Sequence, residues 1–430
     1  MNNLRAITSL ILAFSSPLTV CAQTPSSADP PVSVSLQPDF VSLESATEQF
    51  LRKNLTVEAA RLEISVAEAE RIGARLRPRP SLTASAENLR LSGETPASRL
   101  QEFGVTVEQP IELGNRKALR IEVAERTVSV SEARLTEVLR RQLFDLKKTY
   151  YESVLGRALL GIEQENRDNF EGLVQFNKAR FEEGYIAEGD LLKVRLERIK
   201  FDFAVANAEL AFRKTKIRLL ELIGEPDFER AAKVDVTSRL QMPTVDLNLV
   251  QLREAALANR REVKVAEAEV ALAESVIKLE RSRASGEVTP YVGYKRVGVD
   301  NTVLAGVTVP LPFGNRNQSG IARAEAEQKL KETSLRFARN RALAEVEVAF
   351  LAYETAREQV RAYEAGLLRQ ADESREIQFG AYQEGAAELI TLIEAQKTRT
   401  EIRANYYRAI FDYYTSIFQL ELAIGSDIKL

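Results

Sequence analysis

The chain has 430 residues, with 59 Lys and Arg against 62 Asp and Glu for a net charge of −3, no His, no Trp and a single Cys. Without histidine there is no imidazole to act as general base, proton relay or metal ligand, and one cysteine makes neither an intramolecular disulfide nor a thiolate cluster. The near-balance of charge excludes a basic surface for nucleic acid, and beyond the N-terminus no apolar run reaches the ~18 residues of a transmembrane helix.

Residues 1–22 read as a secretory signal peptide: Arg5 supplies the positive start, Ala6 to Phe14 a short apolar stretch, and Val20-Cys21-Ala22 a cleavage site before Gln23. The alternative makes Cys21 a lipidated first residue, although Val20 stands where a small residue is expected. Residues 23–40, rich in Ser and Pro, predict a flexible leader.

Of the 14 prolines, none falls between Pro110 and Pro226 and none after Pro312. Proline breaks helix interiors, so these Ala-, Glu-, Arg- and Leu-rich gaps predict very long helices. One from about Arg116 to Glu183 would be roughly 100 Å long at about 1.5 Å per residue. Leu192, Leu196, Ile199, Phe203, Ala206 and Leu210 follow the spacing of a coiled-coil seam, and Ile402, Tyr406, Ala409, Tyr413, Ile417 and Leu420 nearly repeat it. Between the helical stretches, 81–91 and 102–111 predict one β-hairpin. A second spans 289–299 and 302–311, turning at Asp300-Asn301. Val303, Ala305, Val307 and Val309 share one face of the last strand, with Thr302, Gly306 and Thr308 on the other. Such alternation suits a membrane barrel wall or a soluble sheet, and periodicity does not choose between them.

The chain repeats itself. Pro110, Gly114, Asn115 and Arg116 recur 200 residues later as Pro310, Gly314, Asn315 and Arg316; Ile121 and Ala124 match Ile321 and Ala324. The glycine-centred turn at Phe181-Glu182-Glu183-Gly184 recurs 201 residues later as Tyr382-Gln383-Glu384-Gly385, and Ile223-Gly224 as Ile424-Gly425. Upstream, Asn54 and the Ala60/Glu63/Ala67 pattern match Asn259 and Ala266/Glu269/Ala273. The expected organisation is a first repeat over 41–224, a linker over 225–246, a second repeat over 247–425 and a tail over 426–430.

With its two Pro-x-x-x-Gly-Asn-Arg strand exits and two glycine-centred helix turns, the chain resembles the TolC family of outer-membrane efflux proteins. Glu108 to Arg116 followed by Arg120 is similar to the CzcC-type, heavy-metal-efflux branch, with Asn115 in place of a usual second glycine and Lys117 after Arg116. The resemblance implies an α+β fold: long antiparallel coiled-coil helices forming a periplasmic α-barrel, and four membrane β-strands per chain. Four strands cannot close on themselves in lipid, where every backbone polar group must be paired, so the chain must associate. The resemblance implies a homotrimer sharing a twelve-stranded barrel, with Phe103, Tyr291 and Tyr294 as candidates for an aromatic girdle that lacks Trp. It implies no enzyme and no cofactor, but a passive outer-membrane exit duct reaching into the periplasm of a Gram-negative cell. The implied partners are outer-membrane lipid, a periplasmic adaptor protein and an inner-membrane RND-type pump. Gly184, Tyr185, Ile186, Ala187, Gly385, Ala386 and Ala387 would be the adaptor-docking tips. Asp190, Lys193, Glu388, Thr391 and Glu394 would form the periplasmic gate, Thr391 replacing the acidic residue of the first turn. Other readings are a drug-efflux or type I secretion duct, or, in another class, a periplasmic coiled-coil structural or adaptor protein. A rod, however, has no need of two strand pairs at a fixed offset.

Mass spectrometry of the exported protein is expected to find Gln23 as its first residue; an acylated Cys21 would select the alternative.

Overall fold

The computed structural model describes residues 39–429 apart from 90, 91, 93, 95 and 312, so the signal peptide, Cys21 and most of the leader lie outside the described residues. The first half runs β1 (Asp39–Val41), α1 (Leu43–Lys53), α2 (Leu55–Arg75), β2 (Ser81–Glu87), α3 (Ala97–Leu100), β3 (Glu102–Glu108), β4 (Ile111–Glu112), α4 (Arg116–Glu182) and α5 (Glu188–Leu222). A connection follows with α6 (Phe228–Lys233) and β5 (Val234–Val236). The second half runs α7 (Leu249–Asn259), α8 (Arg261–Arg283), β6 (Glu287–Val297), β7 (Asp300–Thr308) and α9 (Gln318–Ala362). It ends with a π-helical turn (Tyr363–Leu367), α10 (Leu368–Gln383) and α11 (Leu389–Ile424). Asp39 and Phe40, expected in the leader, lie instead in β1, which pairs in parallel with β5.

The proline-free stretch becomes α4, one unbroken helix of 67 residues. It packs on α2, α5, α8 and α11, while α9 packs on α7, α8 and α11. The seam on α11 is buried from Ala409 to Leu420, and Tyr413, Ile417 and Leu420 are core residues. The seam on α5 behaves differently. Leu192, Leu196, Ile199, Phe203 and Leu210 are exposed, and α5 instead buries Leu191, Val194, Val205, Phe212, Leu219 and Leu220. Helical period 3.6 lets one helix carry two apolar stripes, and the long contact with α4 uses the other one.

The connection is pinned to the helices by tyrosines. Tyr353 Oη donates to the Val245 carbonyl at 2.5 Å, Tyr413 Oη to Pro243 at 3.0 Å and Tyr414 Oη to Gln241 at 2.8 Å. Each buried ring thereby spends its one polar atom on a linker carbonyl.

β2, β3, β6 and β7 form an antiparallel sheet, with β4 pairing β6 alongside β3. The register runs Leu82↔Val107, Val105↔Tyr294 and Tyr294↔Val303, so these side chains share one face. With Phe103, Val292 and Val307 they make an apolar face that is exposed in the chain, Val303 to 79%. The other face carries Thr83, Ser85, Glu87, Glu102, Thr106, Glu108, Lys295, Thr302 and Thr308. Tyr291 belongs to this polar face, where it lies over Gly306, so it departs from the expected girdle while Phe103 and Tyr294 stay on the apolar side. The second hairpin turns at Gly298-Val299, not at Asp300-Asn301. Gly298 supplies the positive φ (+56°) that a two-residue hairpin loop needs, and Asp300 instead pairs with Val297.

The helix starts of the two halves correspond one residue away from the expected Asn54–Asn259 match. Asn54 and Arg260 are the residues that cap α2 and α8, 206 residues apart like Ala60 and Ala266. Gly224 (φ +80°) lies against the Lys53 carbonyl and Gly425 (φ +70°) against that of Asn259, and a Cβ on either would approach the oxygen to 2.4 Å. These two glycines bring each last helix back onto the start of its own half. Gly184 and Gly385 have φ of +82° and +77° but nothing within 4 Å. Gly184→Ala is therefore expected to cost only the left-handed backbone penalty of about 1 kcal/mol. Gly224→Ala adds a backbone collision and is expected to lower the thermal unfolding midpoint distinctly more, as read by circular dichroism.

Candidate functional site

The candidate site is the pair of helix tips. Both turns close the same way. Gly184 N–H donates to the Phe181 carbonyl at 2.9 Å and Tyr185 N–H to Arg180 at 2.8 Å. In the second tip Gly385 N–H donates to Tyr382 at 3.1 Å and Ala386 N–H to Ala381 at 2.8 Å. This is the double closure of a helix end on a left-handed residue, which is why both turns carry glycine. Tyr185 is 71% exposed, Ala187 and Ala386 are exposed, and Ile186 and Ala387 are half-buried.

A groove of about 870 Å³ separates the tips, lined by Ile186, Asp190 and Lys193 from the first and Gly385, Ala387 and Glu388 from the second. Thr391 and Glu394 lie on exposed positions of α11 outside that lining. The tips differ in charge. In the first, Lys193 Nζ donates to Asp190 Oδ1 at 3.0 Å. In the second, the Thr391 hydroxyl turns back onto the Glu388 carbonyl at 2.7 Å, and Glu394 has no ion partner among the described residues. Glu388 precedes α11 with extended backbone, the position Ala187 takes before α5.

Behind the tips lies a set of polar ties that the sequence reading missed. Tyr382, buried against Phe170, Leu173, Val194 and Leu392, donates its hydroxyl to Asn177 Oδ1 at 2.6 Å, and Asn177 Nδ2 donates to the Leu173 carbonyl at 2.9 Å. Higher up, Gln396 Nε2 donates to Asn166 Oδ1 at 2.8 Å, and Arg399 and Arg403 hold Glu165 at 2.9 and 2.8 Å. These bonds join the α4/α5 hairpin to the α10/α11 hairpin. The signal was present: Asn166, Phe170, Leu173 and Asn177 step by 4, 3 and 4, a seam with asparagine at both ends. Burial pushes the Glu165 carboxyl up, but the two guanidiniums outweigh it and hold it below the usual range.

The strand-exit motifs, alike in sequence, are unlike in structure. Pro110 and Pro310 close their strands, and Gly114 and Gly314 take positive φ in both. After Gly114, Asn115 (φ +58°) leads directly into α4, and Arg116 donates to the Gly286 carbonyl at 2.6 Å. After Gly314 the helix starts two residues later. Asn315 Oδ1 accepts from Asn317 N–H at 3.1 Å, Arg316 N–H donates to Gln318, and Asn317 takes the left-handed position while its amide donates to Glu280. Arg316 is left exposed and without an ion partner among the described residues. The local turn made by Asn315 overrides the motif's register.

Two outcomes test the ties. Tyr382→Phe leaves Asn177 buried without its partner and is expected to cost about 1–3 kcal/mol of unfolding free energy. Because the Glu165 pKa is lowered on folding, its contribution is complete above about pH 4.3 and is lost as pH falls through the lowered value. Thermal unfolding between about pH 3 and pH 6 should therefore be less acid-sensitive in Glu165→Gln, by less than about 1 kcal/mol since the side chain is 40% exposed.

The outer membrane efflux protein family model matches residues 46–225 and 252–426. The chain is 24% identical over 398 residues to the cobalt-zinc-cadmium resistance protein CzcC of Cupriavidus metallidurans, covering 90% of each. It is 27% identical over 271 residues to the nickel and cobalt resistance protein CnrC of the same organism, covering 62% of each. In structure it is similar to the CmeC outer membrane channel of Campylobacter jejuni, with TM-score 0.76 and 15% identity over 89% of this chain and 85% of that one. With helices, tips and a two-faced sheet in place and the family model spanning both halves, the chain belongs to the outer membrane efflux protein family.

Proposed function

We propose that the chain is one third of a passive exit duct that conducts heavy-metal cations from periplasm to exterior in a tripartite efflux system. The observation that carries this is the sheet: one face apolar and exposed, the other polar, set on helices of roughly 100 Å. An apolar face over a hydrogen-bonded sheet suits lipid, and a polar face suits a water-filled lumen. Three copies supply twelve strands and close the sheet, leaving the barrel in the outer membrane and the helices in the periplasm. The exposed α5 seam then meets a neighbouring copy. The cargo reading draws on the similarity to CzcC and CnrC, both named as metal resistance proteins. A duct performs no catalysis and needs no tight metal site; an inner-membrane pump supplies the energy.

The repeats over 41–224 and 247–425, joined by 225–246, each give the duct one strand pair and one tip. Gly184 to Ala187 and Gly385 to Ala387 dock the adaptor through small, mostly apolar surfaces, weak singly and strengthened by repetition around the trimer. Asp190, Lys193, Glu388, Thr391 and Glu394 border the periplasmic entrance. That Glu394 has no ion partner among the described residues supports a ring of three carboxylates favouring cations.

Purified from outer membranes and reconstituted in a planar bilayer, the mature protein is expected to be a trimer with cation-preferring channels, and Glu394→Gln to weaken that preference. A monomer without conductance would sink the reading. Ala187→Asp and Ala387→Asp are expected to abolish crosslinking to the adaptor while the trimer and its conductance persist; unchanged crosslinking would remove the tips from the docking surface.

A further inference from the structure

The second half of the chain is one residue longer than the first between strand exit and tip. Ala124 and Ala324, both buried, are 200 residues apart, whereas Gly184 and Gly385 are 201 apart. In the first half α4 crosses the whole interval without a break. In the second, the helix is interrupted by the π-helical turn at Tyr363–Leu367, where Leu368 N–H donates to the Tyr363 carbonyl five residues back. Gly366 leaves helical backbone altogether (φ 167°, ψ −18°). A π turn is the form that one extra residue takes inside an α-helix, and it is a place where helices bend. The odd residue of the duplication is thus lodged at 363–367, and the α-helices on either side keep their contacts.

The two sides of this turn are held unequally. Above it, Val360 is fully buried in the core with Tyr150 and Phe418, and Tyr363 packs against that core and against the Tyr406 ring at 6.1 Å. No residue of the turn itself is buried, and α10 buries only Ala371 and Tyr382. At its tip end α10 packs Phe379 and Tyr382 into the cluster of Phe170 and Val194; nearer the turn its ties are polar, Asp372 to Arg399 at 2.6 Å and Arg375 to Gln396 at 3.2 Å. Both links from the turn to α11 run through Tyr406, whose ring meets Tyr363 and whose Oη donates to Glu364 Oε1 at 3.0 Å.

We propose that the Tyr363–Leu367 turn is a hinge: α10 bends there and carries the Gly385 tip toward or away from the Gly184 tip, whose helix α4 has no counterpart hinge. The groove between the tips widens and narrows as it does so. Helix interruptions with few buried contacts lie at the low-stability end of a fold, which is where moving elements are drawn from. The inference goes beyond the duct reading and rests on it only for placing the moving tip at the periplasmic entrance.

The test uses the full mature protein in detergent, with and without deletion of Gly366, which restores an α-helix as uninterrupted as α4. Amide hydrogen exchange at 364–370 is expected to be at least about tenfold faster than at 163–169 of α4 in the parent, and to fall to the α4 rate in the deletion. Spin labels on Glu183→Cys and Glu384→Cys, diluted with unlabelled chain, are expected to give a broad tip-to-tip distance distribution that narrows in the deletion. Equal exchange in the two stretches of the parent, or an unchanged distribution, overturns the hinge. Should the deletion fail to fold, the parent's exchange comparison decides alone. Lack of conductance in both forms would sink the duct reading and leave the hinge to be judged by exchange and distance.

Discussion

Among the described residues β2 pairs only with β3 and β7 only with β6, so the sheet ends in two open rows of backbone donors and acceptors. In water such edges would be solvated. On the duct reading proposed above, the apolar face formed by Leu82, Val105, Val107, Val292 and Val303 lies in lipid, where an unpaired backbone group costs several kcal/mol. The open edges and the apolar face cannot both be satisfied by one chain. In the proposed duct, closure against further copies resolves the conflict, and the rest of the molecule can be read as what such closure requires.

The helices meet the same demand below the sheet. A single bundle would bury every apolar stripe, yet the Leu192–Leu210 seam of α5 is turned away from α4. The equivalent stripe on α11 is buried because the connection, pinned by Tyr353, Tyr413 and Tyr414, and helices α7 and α9 cover it. Two nearly identical seams thus have opposite fates. What separates them is the chain that lies over one and not the other.

The duplication is likewise preserved in its glycines and broken in its polar details. Gly224 and Gly425 lie against backbone carbonyls in both halves because nothing larger fits, and Gly184 and Gly385 close both tips. The charges around them diverge. Where one tip has the Asp190–Lys193 pair the other has Thr391 and Glu394, the latter without an ion partner among the described residues, and Arg116 is anchored at its strand exit whereas Arg316 is left in solvent. The ties across the hairpins, Asn177–Tyr382 and Asn166–Gln396, place polar groups in a coiled-coil interior, where they fix register more than they add stability.

Several features follow from the sequence by itself. The absence of proline over long helix-forming stretches determined α4 and α11, because helix propensity and the missing breaker are local properties. Strand alternation determined which face of β7 is apolar, and the repeated glycines marked the tips. The sequence did not determine which of two equivalent apolar seams would be covered, since that depends on distant segments arriving there. It placed the second hairpin turn two residues late, because the positive φ of Gly298 outweighs the turn propensity of Asp300-Asn301. It matched Asn315 with Asn115, although an added local turn gives that role to Asn317. Only the tertiary structure gathered Glu165, Asn166, Asn177, Tyr382, Gln396, Arg399 and Arg403, whose pairs span 205 to 238 residues, into ties between two hairpins. Helices and strands are fixed by neighbours in sequence, whereas side-chain pairing across a bundle is fixed by which faces the packing leaves opposed.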